Sequence, residues 1–326
     1  MRYNTHKHTR AFISTHNNNR MCGRVNARVT REDVENAFFD DGARGAMEWT
    51  DAGYHANAFN CGPSDTLATL VAPRKLVTTQ FGLVPSYKTA YDGSKDHYAA
   101  FNCRSETIEE KPTFNRCLGC FGSQSGGQDR GRAVVLIRGF YEWKKEGIKN
   151  GQKQPYYVSR KDGKLMCVAA VVDTRKDDET GTMRSTSLLT RASKGTKLSW
   201  LHDRMPVMLK RREAVDLWLT TQSRKVSGML NEEYPDFILE KGEDLQWHPV
   251  TPEMGKVEFQ GEACVKEVVA VAKKNTQDIK SMFAKAVAKQ SAEKLSRVKI
   301  DAVTTTDEEE GKKDEGDEPA KKKLKL

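Results

Sequence analysis

At 326 residues, with a net charge of +9 and a pI near 9.1, the chain is long enough for one large domain or two small ones. No apolar run reaches the roughly 18 residues of a helical membrane span. The seven cysteines, odd in number and irregularly spaced, read as free thiols of a reducing compartment rather than a disulfide framework. The basic balance permits nucleic acid or an anionic membrane as partner and does not choose between them.

Residues 1–20 are polar and basic, and lack the apolar core of a signal peptide. They read as a leader that is disordered, removed, or untranslated because synthesis starts at Met21; a transit peptide is a further alternative. Met21-Cys22-Gly23-Arg24 follows. If Met21 is the initiator, its removal leaves Cys22 as residue one, with a thiol and a free α-amine on adjacent carbons. Reference pKa values of roughly 8.5 for the thiol and 7.7–8.0 for the amine make a usable fraction of each nucleophilic near neutral pH. Such a pair condenses with an aldehyde, amine first and thiol second, to a five-membered thiazolidine. Taken alone, a cysteine near an N-terminus reads first as an inert small residue, and the signals that favour catalysis lie far downstream.

From Cys22 onward the pattern is that of a folded domain, with boundaries at 22–268. Thr30 and Asp33 form a capping-box pattern ahead of Val34, Ala37 and Phe38 at helical spacing. Asn60-Cys61-Gly62-Pro63 reads as a turn, and 67–71 and 75–79 as strands around Pro73. Phe81-Gly82-Leu83-Val84-Pro85-Ser86-Tyr87 reads as a loop whose terminal aromatics either pack or stack on nucleobases. If Asn102-Cys103-Arg104-Ser105-Glu106 is extended, Asn102, Arg104 and Glu106 share one face. Cys117 and Cys120 make a single CxxC, weak as a zinc signal without a second pair, and 119–131 reads as a Gly- and Ser-rich loop.

The apolar run 133–137 reads as a buried strand that feeds Gly139-Phe140-Tyr141-Glu142-Trp143. There Glu142 is either an exposed carboxylate or one held in an apolar cleft that suits proton transfer. Residues 156–158, Asp162-Gly163 and 165–172 read as a β-hairpin. A strand at 187–190 precedes His202-Asp203-Arg204-Met205-Pro206, then a helix at 211–219 and a last strand at 247–250. Residues 269–326 turn to mixed charge and read as a largely disordered tail. A helical period through Ile279, Met282 and Phe283 and a terminal run Lys321-Lys322-Lys323-Leu324-Lys325 interrupt it; the latter resembles a nuclear-import signal. Hairpin signals outnumber helices and no βαβ alternation appears, which predicts an α+β fold with mostly antiparallel strands.

Met21-Cys22-Gly23-Arg24, Asn102-Cys103-Arg104-Ser105-Glu106, Lys111-Pro112-Thr113-Phe114, Gly139-Phe140-Tyr141-Glu142-Trp143 and His202-Asp203-Arg204-Met205-Pro206, in this order, resemble the signatures of the SRAP family. Its members are SOS response-associated peptidases, understood as abasic-site DNA–protein crosslinking proteins. The resemblance spans about 22–268 and implies an α+β fold with a curved, mostly antiparallel, barrel-like sheet core, peripheral helices and a basic groove. It implies that Cys22 captures the ring-opened aldehyde of an abasic site in single-stranded DNA, an enzyme activity of lyase-like type. Glu142 relays protons, His202 protonates the sugar oxygen and Asn102 steadies the Cys22 end. Arg24 and Arg104 bind phosphate, and Phe81 and Tyr87 lie where the family stacks aromatics on bases. No cofactor or metal is implied, and a nuclear location is expected. Residues 276–283 resemble a degenerate sliding-clamp motif anchored by Ile279, Met282 and Phe283, or else form a plain amphipathic helix. Two other readings stand beside crosslinking. In one, Cys22 is the nucleophile of a peptidase, including self-cleavage that exposes its own amine. In the other, the domain is a non-catalytic DNA-binding adaptor.

Overall fold

The fold is described here from a computed structural model, for residues 23–38, 48–50, 58–73, 75–87, 100–123, 129–144, 153–177, 181–226, 229–230 and 244–269. The leader, Cys22, the clamp-like residues 276–283 and the basic C-terminal run lie outside the described residues.

In chain order the strands are β1 (Arg24–Asn26), β2 (Glu48–Trp49), β3 (Thr66–Ala72), β4 (Lys75–Phe81), β5 (Asn102–Arg104), β6 (Arg130–Ile137) and β7 (Gly139–Lys144). Then come β8 (Gln154–Arg160), β9 (Met166–Asp177), β10 (Gly181–Ala192), β11 (Arg204–Pro206), β12 (Met208–Leu209) and β13 (Leu245–Pro249). Two α-helices exceed one turn among the described residues, Arg31–Phe38 and Arg212–Thr220. The pairings β3–β4, β4–β10, β10–β9, β9–β6 and β6–β3 close on themselves, so five strands form a barrel. Only β4–β10 is parallel within it. A second, fully antiparallel sheet runs β1-β7-β8-β13. The expected barrel-like, mostly antiparallel α+β architecture is what forms.

The apolar run 133–137 does not alternate because both faces of its strand are buried. Ala133, Val135 and Ile137 join one core cluster with Phe140, Val158 and Leu245 of the second sheet. Val134 and Leu136 join another with Ala214, Val215 and Trp218 of the helix Arg212–Thr220. The capping box is present in full: Thr30 Oγ1 accepts the Asp33 amide at 3.1 Å and Asp33 Oδ2 accepts the Thr30 amide at 2.8 Å.

Two expectations are corrected. Residues 156–158 and 165–172 do not form a hairpin, because β8 pairs with β7 and β13 whereas β9 enters the barrel. The turn at Asp162-Gly163 carries the chain from one sheet to the other, and the long hairpin is β9–β10, paired from Asp177–Gly181 to Ala170–Leu188. Nor do Asn102, Arg104 and Glu106 share one extended face. The strand stops at Arg104 and Ser105–Thr107 forms a 3-10 turn, which swings Glu106 away to meet Arg204.

Candidate active site

Glu142 sits on β7, 3% exposed. Its neighbours explain why a buried strand carries a carboxylate at this position. On one side β1 runs antiparallel, with Arg24 opposite Tyr141; the same register brings Gly23, one residue before β1, level with Glu142. On the other side Tyr156 of β8 is its direct cross-strand partner. Glycine at 139 is a requirement of close packing: a Cβ there would lie 2.5 Å from the Val158 carbonyl oxygen and 2.6 Å from the Tyr157 ring. Glycine at 23 is equally constrained, since a Cβ would meet the Phe101 ring at 2.8 Å. Phe101 directly precedes Asn102, so the start of β5 lies against the residue that follows Cys22.

Arg24 is anchored by a residue that the sequence reading treated only as part of a turn. Asn60, fully buried, accepts from Arg24 Nη1 at 2.9 Å through Oδ1. Its Nδ2 donates to the carbonyls of Met254, Lys256 and Phe259. Gln260 completes the clamp by accepting the Phe59 and Asn60 amides and donating to the Asn60 carbonyl. The far end of the domain thus aims a half-buried guanidinium beside the site. The Asn60-Cys61-Gly62-Pro63 run was the available signal, but the partners of Asn60 lie about 200 residues away in the chain.

His202 is 7% exposed, in the turn between β10 and β11. Its Nδ1 accepts the Arg204 amide at 3.0 Å. The Asp203 carboxylate is 3.3 Å from the same atom, but a backbone N–H can only donate. Nδ1 is therefore the acceptor and the neutral ring carries its proton on Nε2. Ser193 Oγ donates to the His202 carbonyl, and Leu198 and Leu201 pack in the core cluster that holds Phe140 and Val158. These contacts seat the histidine turn beside the sheet that carries Glu142.

Arg204 reaches Glu106 with both terminal nitrogens, at 2.7 and 2.8 Å, and also donates to the Thr190 carbonyl. The histidine turn is thereby tied to the end of β5. Burial acts against the Glu106 charge, but the Arg204 hydrogen bonds, backbone amides and Arg204 charge outweigh it and hold the carboxyl at about 2. A carboxylate depressed in the folded state contributes stability that is complete above its unfolded value near 4.5 and is lost as pH falls toward 2. Glu106→Gln is expected to flatten that part of the acid-unfolding profile, as read by circular dichroism between pH 5 and about 2. An unchanged profile would show that the pair is screened out at this half-exposed position.

Asn102 and Arg104 line a cleft of about 410 Å³ together with Leu83, Pro85, Tyr87 and Lys111. Tyr87 is 56% exposed, with Arg116 stacked on its ring at 5.0 Å. Arg116 is held by Asp173 and Ser86, and the buried Asp173 also accepts the Ser86 amide. One face of Tyr87 is thus backed by a fixed cation. Phe81 behaves otherwise and corrects the expectation of a second stacking aromatic. It is 0% exposed, ends β4 inside the core, and packs edge-on against Phe101 at 6.0 Å. It supports the residue that touches Gly23, and no base reaches it.

Strand register thus sets Gly23 beside Glu142, with Arg24 next along β1 and Phe101 against it; Asn102, Arg104 and Tyr87 line one cleft, and His202 lies in a turn packed on the core cluster that holds Phe140. The CxxC cysteines do not join them. Cys120 contacts Arg132 and the Thr220 and Thr221 carbonyls, and no group of metal-ligand type occurs among the described residues. Burial pushes the Cys103 and Cys167 thiols up to about 12 and raises that of Cys117 further, so these stay protonated at neutral pH.

The chain is similar to several known proteins. The chain is 27% identical over 288 residues to the abasic site processing protein HMCES of Xenopus tropicalis, covering 78% of this chain and 80% of that one. It is 29% identical over 219 residues to the abasic site processing protein YMR114C of Saccharomyces cerevisiae, covering 65% of this chain and 53% of the yeast protein. A crystal structure of a protein from Bacteroides thetaiotaomicron shares the fold, with a TM-score of 0.57 at 17% identity over 76% of this chain and all of that one. Residues 21–257 match the family model for the SOS response associated peptidase, SRAP. With more than half of its length in that match, the protein belongs to the SRAP family.

Proposed function

We propose that this protein processes abasic sites in DNA, and that it does so by covalent capture through Cys22. The observation that carries the reading is the register of β1 on β7. It sets Gly23, the covalent neighbour of Cys22, level with the buried carboxylate of Glu142. With Met21 gone, the Cys22 amine attacks the C1′ aldehyde of the ring-opened sugar, and water leaves as the imine forms. The thiol then adds to the imine carbon, and its proton passes to the nitrogen. One C–N and one C–S bond form, one water is released, and no oxidant or metal is consumed. Glu142 takes and returns the protons of the first step and faces the positive iminium. Nε2–H of His202 donates to the sugar ring oxygen as the ring opens. Asn102 fixes the Cys22 end, while Arg24 and Arg104 hold flanking phosphates and Tyr87 offers its open face to a base. An aldehyde in a single strand is reachable without extruding a base, which favours single-stranded DNA as substrate. Phosphate contacts of this kind give sequence-tolerant, salt-sensitive affinity. The clamp-like residues Ile279, Met282 and Phe283 and the basic terminus would bring the protein to replicating DNA in the nucleus.

The test uses chains that start at Met1 and at Met21, each incubated with single-stranded DNA bearing one abasic site and run on a denaturing gel. A shifted band from the Met21 form, absent in Cys22→Ala, is the expected result. A band from the Met1 form as well, with a mass that begins at Cys22, means that the leader is cleaved. No band from a protein whose N-terminal Cys22 is confirmed by mass spectrometry would overturn the crosslinking reading.

A further inference from the structure

A second aromatic surface lies on the Tyr156 side of Glu142, across β7 from Gly23, and the mechanism makes no use of it. Strand pairing puts Phe140, Glu142 and Lys144 of β7 on the same face as Tyr156 and Val158 of β8 and Trp247 of β13. Trp200, from the turn that leads into His202, lies over this face. Its ring meets Tyr156 edge-on at 4.9 Å and Trp247 at 6.0 Å. Lys144 Nζ lies 4.8 Å from the centre of the Trp200 ring. Trp200 is 37% exposed, one of the few large apolar side chains that remain so among the described residues. Tyr156 and Trp247 are half-buried, and Lys194 and Lys197 of the same turn are exposed.

Packing alone explains Tyr156 and Trp247 as the rim of the core. It does not explain a tryptophan left at the surface, set between two aromatics, with a lysine over its ring and two more on its loop. Aromatic faces backed by cations are what a single strand needs, because bases stack on the rings while ammonium groups meet the phosphates. The location matters as much as the composition. Tyr156 is the direct cross-strand neighbour of Glu142, so the platform begins about 5 Å from it, measured between backbones. Trp200 is two residues before His202.

We infer that Trp200, with Tyr156, Trp247 and Lys144, forms a stacking platform for an unpaired nucleobase next to the lesion, on the opposite side of Glu142 from Gly23. The inference rests on the proposed DNA substrate. It adds that the strand is gripped on both sides of the reacting sugar. Recognition there is by base stacking and phosphate charge, so it is indifferent to sequence.

The experiment separates this from the covalent chemistry by using DNA with no aldehyde. Full-length protein is titrated with fluorescein-labelled oligothymidylate of twelve nucleotides, and with a base-free oligomer of the same length built on stable tetrahydrofuran residues. Trp200→Ala is expected to weaken oligothymidylate binding by about 5- to 100-fold and to leave the base-free oligomer unaffected, while Trp200→Phe keeps most of the affinity. Lys144→Gln is expected to lower the salt dependence of binding to both oligomers. Thermal melts check that each variant is folded, and Trp200→Phe serves should Trp200→Ala not be. Equal affinity of wild type and a folded Trp200→Ala for oligothymidylate would overturn the platform, as would an equal loss for both oligomers. Because no adduct forms, a protein that fails to crosslink can still pass, and one that crosslinks can still fail.

Discussion

Glu142→Gln is expected to slow formation of the covalent product by about 10²- to 10⁴-fold, the usual contribution of a positioned general acid–base group. The substitution keeps the shape of a side chain that is 3% exposed, so loss of packing does not confound it. The Trp143 amide, which donates to Glu142 Oε1 at 3.1 Å, can still donate to an amide oxygen. What disappears is the ability to take a proton from the attacking amine and return it to the departing water. A residual reaction should persist, because Cys22 retains both nucleophiles. Cys22→Ala, by contrast, should leave no covalent product. The measurement is the single-turnover rate of crosslinking, by denaturing gel, with excess protein over an abasic oligonucleotide between pH 6 and 8. A rate within about threefold of wild type would exclude Glu142 as the proton relay.

The largest effect on stability is expected from Arg132, which has no part in the chemistry. It is 0% exposed and faces no carboxylate among the partners of its guanidinium. Nε donates to the Trp218 carbonyl at 2.5 Å, and Nη1 to the Leu118 and Ser223 carbonyls at 2.7 Å each. Nη2 serves the Thr221 carbonyl and Cys120 Sγ. Trp218 and Thr221 are at the C-terminal end of the helix Arg212–Thr220, where carbonyls lack helical partners and the dipole favours a cation. Burial lowers the Arg132 pKa, yet an arginine starts high enough to stay charged. Arg132→Met would strand several buried carbonyls, each worth about 1–3 kcal/mol when unsatisfied. Allowing for water entry, a loss of about 3–5 kcal/mol is expected, a large share of a typical domain's total. Arg132→Lys should recover little, since one ammonium cannot span a cradle shaped for a planar fork. Urea unfolding of the two variants is the check, and a loss below about 1 kcal/mol for Arg132→Met would contradict the account.

Certain features of this protein are written in short stretches of chain, because each depends on residues within a few positions of one another. The capping box at Thr30 and Asp33 needs only one helical turn. The unbroken apolar run ahead of Gly139 announces a strand buried on both faces. The order of five motifs carries the family, and the proposed chemistry rests on an adjacent amine and thiol at Cys22, whatever the fold around them. Other features needed the tertiary structure, and for one physical reason: their partners are set by strand pairing between distant segments. Asn60 looks like any turn residue until residues 254–260 arrive to clamp it against Arg24. Phe81 and Tyr87 look alike at the two ends of one loop, yet barrel closure buries the first and Arg116 props up the second at the surface. The hairpin signal at Asp162-Gly163 is a true turn, but closing the barrel gives β9 longer partners in β6 and β10 than β8 offers. Glu106 leaves the face of Asn102 because Arg204 binds it from across β10. The sequence by itself determined the family and the candidate groups; strand pairing decided that Glu142 and Arg24 stand beside Gly23.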